Sequence, residues 1–123
     1  MREATLLFAH GSSDRHWAAP FLRLKALLAS RLPGQQVELA FLEGMTPAFA
    51  EAIDRIAGEG SATVTVVPLF LAQGGHLRED LPKLIAAAHD RHPDLAFRQL
   101  PSLGEVPDVL EAIAAWIAEA QLR

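Results

Sequence analysis

Three side chains in this 123-residue sequence have the chemical types needed to hold a divalent metal ion or to move a proton: His10, Glu43 and His76. Two imidazoles and a carboxylate form a borderline nitrogen and oxygen donor set. Such a set suits divalent cobalt, iron, nickel or zinc and leaves coordination positions open for a further ligand. Calcium and magnesium fit it poorly, because they favour all-oxygen surroundings. Cysteine is absent, which excludes thiolate catalysis, a disulfide scaffold and Cys-based zinc or iron–sulfur sites. Each of the three residues also has a plainer reading. Either histidine can tie down a turn through a backbone hydrogen bond, and Glu43, before a glycine, can be solvated or can cap the next helix.

What would bring the three together is the order of the elements. Leu6 to Ala9 is a short apolar run that stops at His10-Gly11-Ser12-Ser13, as a strand buried on both faces does before a turn into a helix. Ser12, Ser13 or Asp14 is placed to cap that helix, and Trp17, Phe21, Leu24, Leu27 or Leu28, and Leu32 follow at helical spacing as far as Pro33-Gly34. Val37 to Leu42 reads as a second strand ending at Glu43-Gly44. Thr46-Pro47 supplies a cap and a first-turn proline for a helix carrying Phe49, Ile53 and Ile56. Thr63 to Val67 is β-branched throughout, and Pro68 marks the point where ladder pairing is expected to stop. The small-residue loop Ala72 to His76 leads to a helix with Leu81, Leu84, Ile85 and Ala88, closed by His92-Pro93. Leu95 to Leu100 reads as a weaker strand, and Val106, Leu110, Ile113 and Ile117 define a last helix.

Alternating strands and helices with short connections predict one α/β domain over residues 1–123: three layers, with a mainly parallel four-stranded sheet flanked by helices and right-handed crossovers. In a parallel sheet the C-terminal strand ends share one edge, and ligands bind in the crevice beyond it. The first strand ends at His10, the second at Glu43, and the third exits through the loop that carries His76. All three are therefore expected at one edge.

The remaining candidates are weaker. His16 falls in the first turn of a helix, and His89 and His92 fall at a helix C-terminus, where partial positive charge suits the dipole. Trp17 and Trp116 lie in apolar helical faces and read as core or interface residues. No G-x-S-x-G elbow, G-x-G-x-x-G or phosphate-binding Lys motif occurs. A phosphohistidine enzyme would want arginine before His10, where Ala9 stands. The loops at Gly11-Ser12-Ser13 and Gly74-Gly75 can offer backbone N–H groups to an anion.

Composition narrows the partners. Eleven Lys and Arg against fifteen Asp and Glu give a net charge of −4 with no basic run, which argues against nucleic acid. Half of the residues are hydrophobic and 21% are charged, the balance of a packed globule. The apolar run near the N-terminus is short for a signal peptide, and no segment approaches the roughly 20 apolar residues of a membrane span. A cytoplasmic protein with no membrane partner is the expectation.

Three segments together resemble a known family: Leu7-Phe8-Ala9-His10-Gly11-Ser12, Phe41-Leu42-Glu43, and Val66-Val67-Pro68-Leu69-Phe70-Leu71 through Gly75-His76-Leu77-Arg78-Glu79-Asp80-Leu81-Pro82. They look like the small sirohydrochlorin chelatases of the CbiX and SirB type, and the likeness covers essentially the whole chain. The resemblance implies a chelatase-like fold and a lyase-class enzyme that inserts Co²⁺, Fe²⁺ or Ni²⁺ into sirohydrochlorin or a related tetrapyrrole, on a route to cobalamin or siroheme. The metal is then a substrate, and no organic cofactor is implied. The family's histidines fall on His10 and His76 and its glutamate on Glu43, with His10 as proton acceptor and shared metal ligand, His76 holding the metal and Glu43 assisting. The macrocycle would lie against Leu69, Phe70, Leu71, Ala72, Gln73, Gly74 and Gly75, near Gly11, Ser12 and Met45. Arg78, Arg15 and Lys83 are candidates for meeting its carboxylates. A homodimer is implied too, because larger chelatases carry two such domains in one chain. The alternative is a metal or tetrapyrrole carrier of the same fold without turnover.

Overall fold

The computed structural model describes residues 2–123. Its order is β1 (Glu3–Ala9), a 3₁₀ turn (Arg15–Ala18), α1 (Ala19–Arg31), β2 (Gln36–Phe41), α2 (Phe49–Gly58), β3 (Thr63–Pro68), α3 (Gly75–Arg91), β4 (Ala96–Gln99), a second 3₁₀ turn (Leu103–Glu105) and α4 (Pro107–Gln121). The four strands form one wholly parallel sheet in the order β2-β1-β3-β4. The first strand lies inside this sheet, pairing Leu7 with Leu39 on one side and with Val67 on the other. From Ala4 to Ala9 every residue of β1 is buried, as its unbroken apolar run predicts.

Alternate residues of the strands feed two cores. Leu6, Phe8, Ala40, Val64 and Val66 pack with Phe49, Ile53 and Ile56 of α2 and with Leu77 and Leu81 of α3. Fully burying a side chain of this size is worth about 1.5–3 kcal/mol. The Phe8 ring meets Phe49 edge-on at 5.3 Å and Phe70 at 5.9 Å. On the opposite face Leu7, Val37, Leu39 and Phe41 pack beneath Trp17, Phe21 and Leu28, with Trp17 stacked on Phe21 at 4.6 Å. These are the three layers expected from the sequence.

The second face is less complete than helical spacing suggests. Neither α1 nor α4 contains a fully buried residue. Leu27 is 61% exposed and Trp116 69% exposed, so part of each apolar stripe faces away from the sheet. Between the two helices an open apolar cleft of about 650 Å³ reaches the sheet, lined among others by Leu7, Leu24, Leu28, Val67, Val106 and Val109. Among the described residues no helix is long and apolar enough to cross a membrane.

Two local expectations change. Thr46 and Pro47 do not open α2. Pro47 accepts a hydrogen bond from the Phe41 N–H, which holds the proline beside the strand end, and the helix starts at Phe49 with Ala48 as its cap residue. The Glu51 carboxylate accepts the Ala48 N–H in turn. Pro68, by contrast, ends the ladder as expected: it occupies the last position, opposite Phe8, and the Leu69 N–H reaches the Phe8 carbonyl beyond it. His76 lies in the first turn of α3 rather than in the loop before it.

Candidate metal and macrocycle site

The strand edge that carries the candidate residues is built from two interlocked loops. Past the ends of β1 and β2 the parallel ladder continues, with the Leu42 N–H donating to the Ala9 carbonyl at 2.9 Å and the Glu43 N–H to the His10 carbonyl at 3.0 Å. Gly11 and Gly44 make this approach possible. Both have positive φ, 91° and 75°, and the backbone of each faces the opposite loop where a side chain would otherwise stand. Further on, the Ser12 hydroxyl accepts the Asp14 N–H and the Asp14 carboxylate accepts the His16 N–H, so Asp14 is the residue that caps the turn.

This clasp brings His10 and Glu43 side by side. His10 Nδ1 lies 3.8 Å from Glu43 Oε1, a charge-pairing distance too long for a hydrogen bond, and both side chains are more than half exposed. The same Nδ1 lies 3.3 Å from the Gly11 carbonyl. In the tautomer with Nδ1 protonated, the ring donates to that carbonyl and Nε2 keeps its lone pair. The plainer reading of His10, a backbone tie, is therefore true of one nitrogen and leaves the other to act as base or ligand.

His76 does not join the pair. Among the described residues no three His, Asp or Glu side chains stand close enough together to hold a metal ion. In the single chain, then, His10 and Glu43 stand as a pair and His76 as a separate, exposed imidazole. The physical reason lies in the connections: His10 and Glu43 sit directly at the ends of paired strands, whereas the loop Leu69 to Gly74 separates His76 from the end of β3.

The expected macrocycle contacts divide in the same way. Phe70 is 7% exposed and its ring packs in the core against Phe8. Leu69 and Met45 pack against the α1 side of the sheet. Leu71 is the large apolar side chain this loop presents to solvent, 62% exposed, with Ala72, Gly74 and Gly75 exposed beside it and Gln73 half-buried. Gly11 is buried and Ser12 half-buried within the clasp. Arg78, Arg15 and Lys83 are exposed and form no ion pair among the described residues. His16 is exposed on the first 3₁₀ turn. His89 Nδ1 contacts the Leu95 carbonyl, and His92 Nε2 lies 2.7 Å from Asp54, so these two anchor the end of α3.

Sequence reasoning passed over Ser102 and Gly104, which touch the loop that leads into α3 and His76. The Ser102 hydroxyl donates to the Phe70 carbonyl, and the Gly104 N–H donates to the same oxygen. The available signal was a pair of small residues in the short Pro101–Glu105 connection, with no chemistry of their own to mark them.

A family model described as CbiX matches residues 4–120 of the chain. The sirohydrochlorin cobaltochelatase of Saccharolobus solfataricus is 33% identical over 85 residues, covering 69% of this chain and 65% of that protein. That of Methanocaldococcus jannaschii is 30% identical over 90 residues, covering 73% and 63% respectively. The matched region spans just under two thirds of these relatives' length. Among solved structures, a CbiX protein from Marinobacter aquaeolei VT8 is 32% identical, with 98% of each chain covered and a TM-score of 0.86. SirB from Bacillus subtilis subspecies spizizenii, solved in complex with cobalt, shares the fold at a TM-score of 0.83 and 24% identity, over 97% of this chain and 51% of that one.

Proposed function

The chain belongs to the CbiX family, and on that premise we propose that it inserts a divalent metal ion, Co²⁺ or Fe²⁺, into sirohydrochlorin or a closely related tetrapyrrole. The observation that carries the proposal is the His10–Glu43 pair, held open to solvent at the edge of the sheet by the clasp of two loops. Its chemistry matches the reaction. Placing M²⁺ in a free-base macrocycle displaces two pyrrole protons, so the site needs a basic group beside the ring and a metal grip weak enough to release its ion.

In this reading the His10 Nε2 lone pair first shares the metal and, once the ion has passed to the ring nitrogens, accepts one of the two displaced pyrrole protons while the other leaves to solvent, and the Glu43 carboxylate stabilises the imidazolium that forms. His76, from the far side of the Leu69–Gly74 loop, delivers the ion. Leu71 offers an apolar surface to the ring, and the uncommitted Arg78, Arg15 and Lys83 meet the substrate carboxylates. A pair and a separate imidazole, all nitrogen and oxygen donors, hold a metal loosely. That arrangement suits an ion that must be released to the ring, whereas a carrier of the metal alone would favour a closed, retentive set of ligands.

The unit we assign to this activity is the whole of residues 1–123, acting as a homodimer. Support comes from the half-covered sheet face, where exposed Trp116 and Ile117 and the cleft between α1 and α4 leave apolar surface that a second copy would cover. The direct test is anaerobic mixing of protein, sirohydrochlorin and Co²⁺, Fe²⁺ or Ni²⁺ with the optical spectrum followed in time. Metalation faster than the uncatalysed rate is expected for at least one ion. No acceleration with any of the three, or stoichiometric metal retained through dialysis without metalation, overturns the proposal.

A further inference from the structure

The loop from Leu69 to Gly74 lies outside the sheet, yet it is held from two sides. From within, Phe70 puts its ring against Phe8. From outside, the connection between β4 and α4 grips its main chain. The Ser102 hydroxyl donates to the Phe70 carbonyl at 2.5 Å, and the Gly104 N–H donates to the same oxygen at 3.2 Å. A carbonyl oxygen has two lone pairs, and here both are occupied.

The fit extends to the next residue. A Cβ on Gly104 would lie 1.4 Å from the Leu71 carbonyl oxygen, and its next nearest atoms are also Leu71 backbone. No other residue fits at 104 unless the loop moves. Ser102 is 3% exposed, and a hydroxyl buried to that degree is costly unless it is paired. The turn that carries both residues is itself closed, with the Glu105 N–H donating to the Ser102 carbonyl at 2.8 Å. Two donors and a glycine are thus committed to one peptide of a loop whose visible products are the exposed Leu71 and, a few residues on, His76.

We propose that Ser102 and Gly104 are positioning residues of the site: by fixing the Phe70–Leu71 peptide they set where Leu71 projects and where the loop delivers His76. This rests on the reading of His76 and Leu71 as metal and macrocycle contacts. Without the Ser102 hydroxyl the Phe70 carbonyl keeps one donor and the loop gains freedom between two fixed points, the Phe70 ring and Leu77 in the core. The loss falls on the delivery of ligands and not on the sheet.

The experiment compares wild type, Ser102→Ala and Ser102→Thr by amide hydrogen exchange and by metalation kinetics. In Ser102→Ala, peptides covering residues 71–78 exchange faster while those of β1 and β3 do not, and kcat/KM falls about tenfold, the lower end for loss of a group that orients ligands. The loss appears mainly as a raised KM, and Ser102→Thr, which keeps the hydroxyl, restores most of it. Unchanged exchange over 71–78 in Ser102→Ala overturns the proposal, as does faster exchange there with unaltered kinetics. A wild type that does not metalate overturns the functional reading instead, and exchange alone then decides whether Ser102 holds the loop.

Discussion

The backbone of Gly11 lies so close to that of Glu43 that a Cβ on the glycine would stand 1.7 Å from the Glu43 carbonyl oxygen. Gly11 also has φ of 91°, so any side chain there meets both a clash and an unfavourable backbone region. Gly11→Ala is expected to cost about 2 kcal/mol or more in chemical denaturation, within the range for a residue forced into strained φ. It also parts the two loops that hold His10 beside Glu43. Metalation should fall even at temperatures where the variant is fully folded, and full activity in a folded Gly11→Ala would show that the clasp does not set the site.

The two members of the pair should differ in their effects. His10→Ala removes the proposed base and a metal ligand together, and a positioned base contributes roughly 10²–10⁴ in rate. Glu43→Gln keeps the shape and removes the charge that stabilises the imidazolium, so a loss of about tenfold is expected, in line with other groups that act through a ligand. Both side chains are more than half exposed, so neither change should lower thermal stability appreciably. Initial rates with each metal check this, and equal rates for His10→Ala and wild type would remove His10 from the mechanism.

Assembly has its own test. Trp116 is 69% exposed on a helix with no buried residue, so Trp116→Glu should leave the folded subunit intact and abolish pairing through this face. Sedimentation velocity is expected to show a dimer for wild type and a monomer for the variant. A wild type that is monomeric at high concentration, or a variant that still dimerises, removes α4 from the interface.

The elements that carry the site were legible because the signals were local and strong. The apolar run of β1, the β-branched run of β3 and the glycine turns after each strand lead directly to a parallel sheet with His10 and Glu43 at one edge. Less legible was anything decided by a partner distant in sequence. Thr46-Pro47 has the form of a helix start, but the Phe41 N–H claims the Pro47 carbonyl. Phe70 reads as a loop aromatic available to a ring, but Phe8 takes it into the core. Leu24 and Leu27 have the spacing of a core stripe, yet both are exposed, and Leu24 lines the open cleft between α1 and α4. The position of His76 is less legible for a related reason: strand ends fix direction, and a loop of several residues fixes neither distance nor orientation.

Acid stability follows from a second pair of elements. At the end of α3, Arg91 and His92 both reach Asp54 of α2, with Arg91 Nη2 at 2.5 Å and His92 Nε2 at 2.7 Å from the same carboxylate oxygen. The hydrogen bond from His92, followed by that from Arg91, holds the Asp54 carboxyl below its usual value of 3.8. A carboxyl depressed in the folded state binds its proton more readily when unfolded, so the stabilisation is complete above the unfolded value and is lost as pH falls through the folded one. Asp54 is 56% exposed, which limits the contribution to at most about 1 kcal/mol. Asp54→Asn should therefore be slightly less stable than wild type at pH 6 in urea unfolding, with the gap closing as pH is lowered past about 4 towards the acid limit. A gap that is constant from pH 6 to pH 3 would mean that the carboxylate's charge is not what ties α3 to α2.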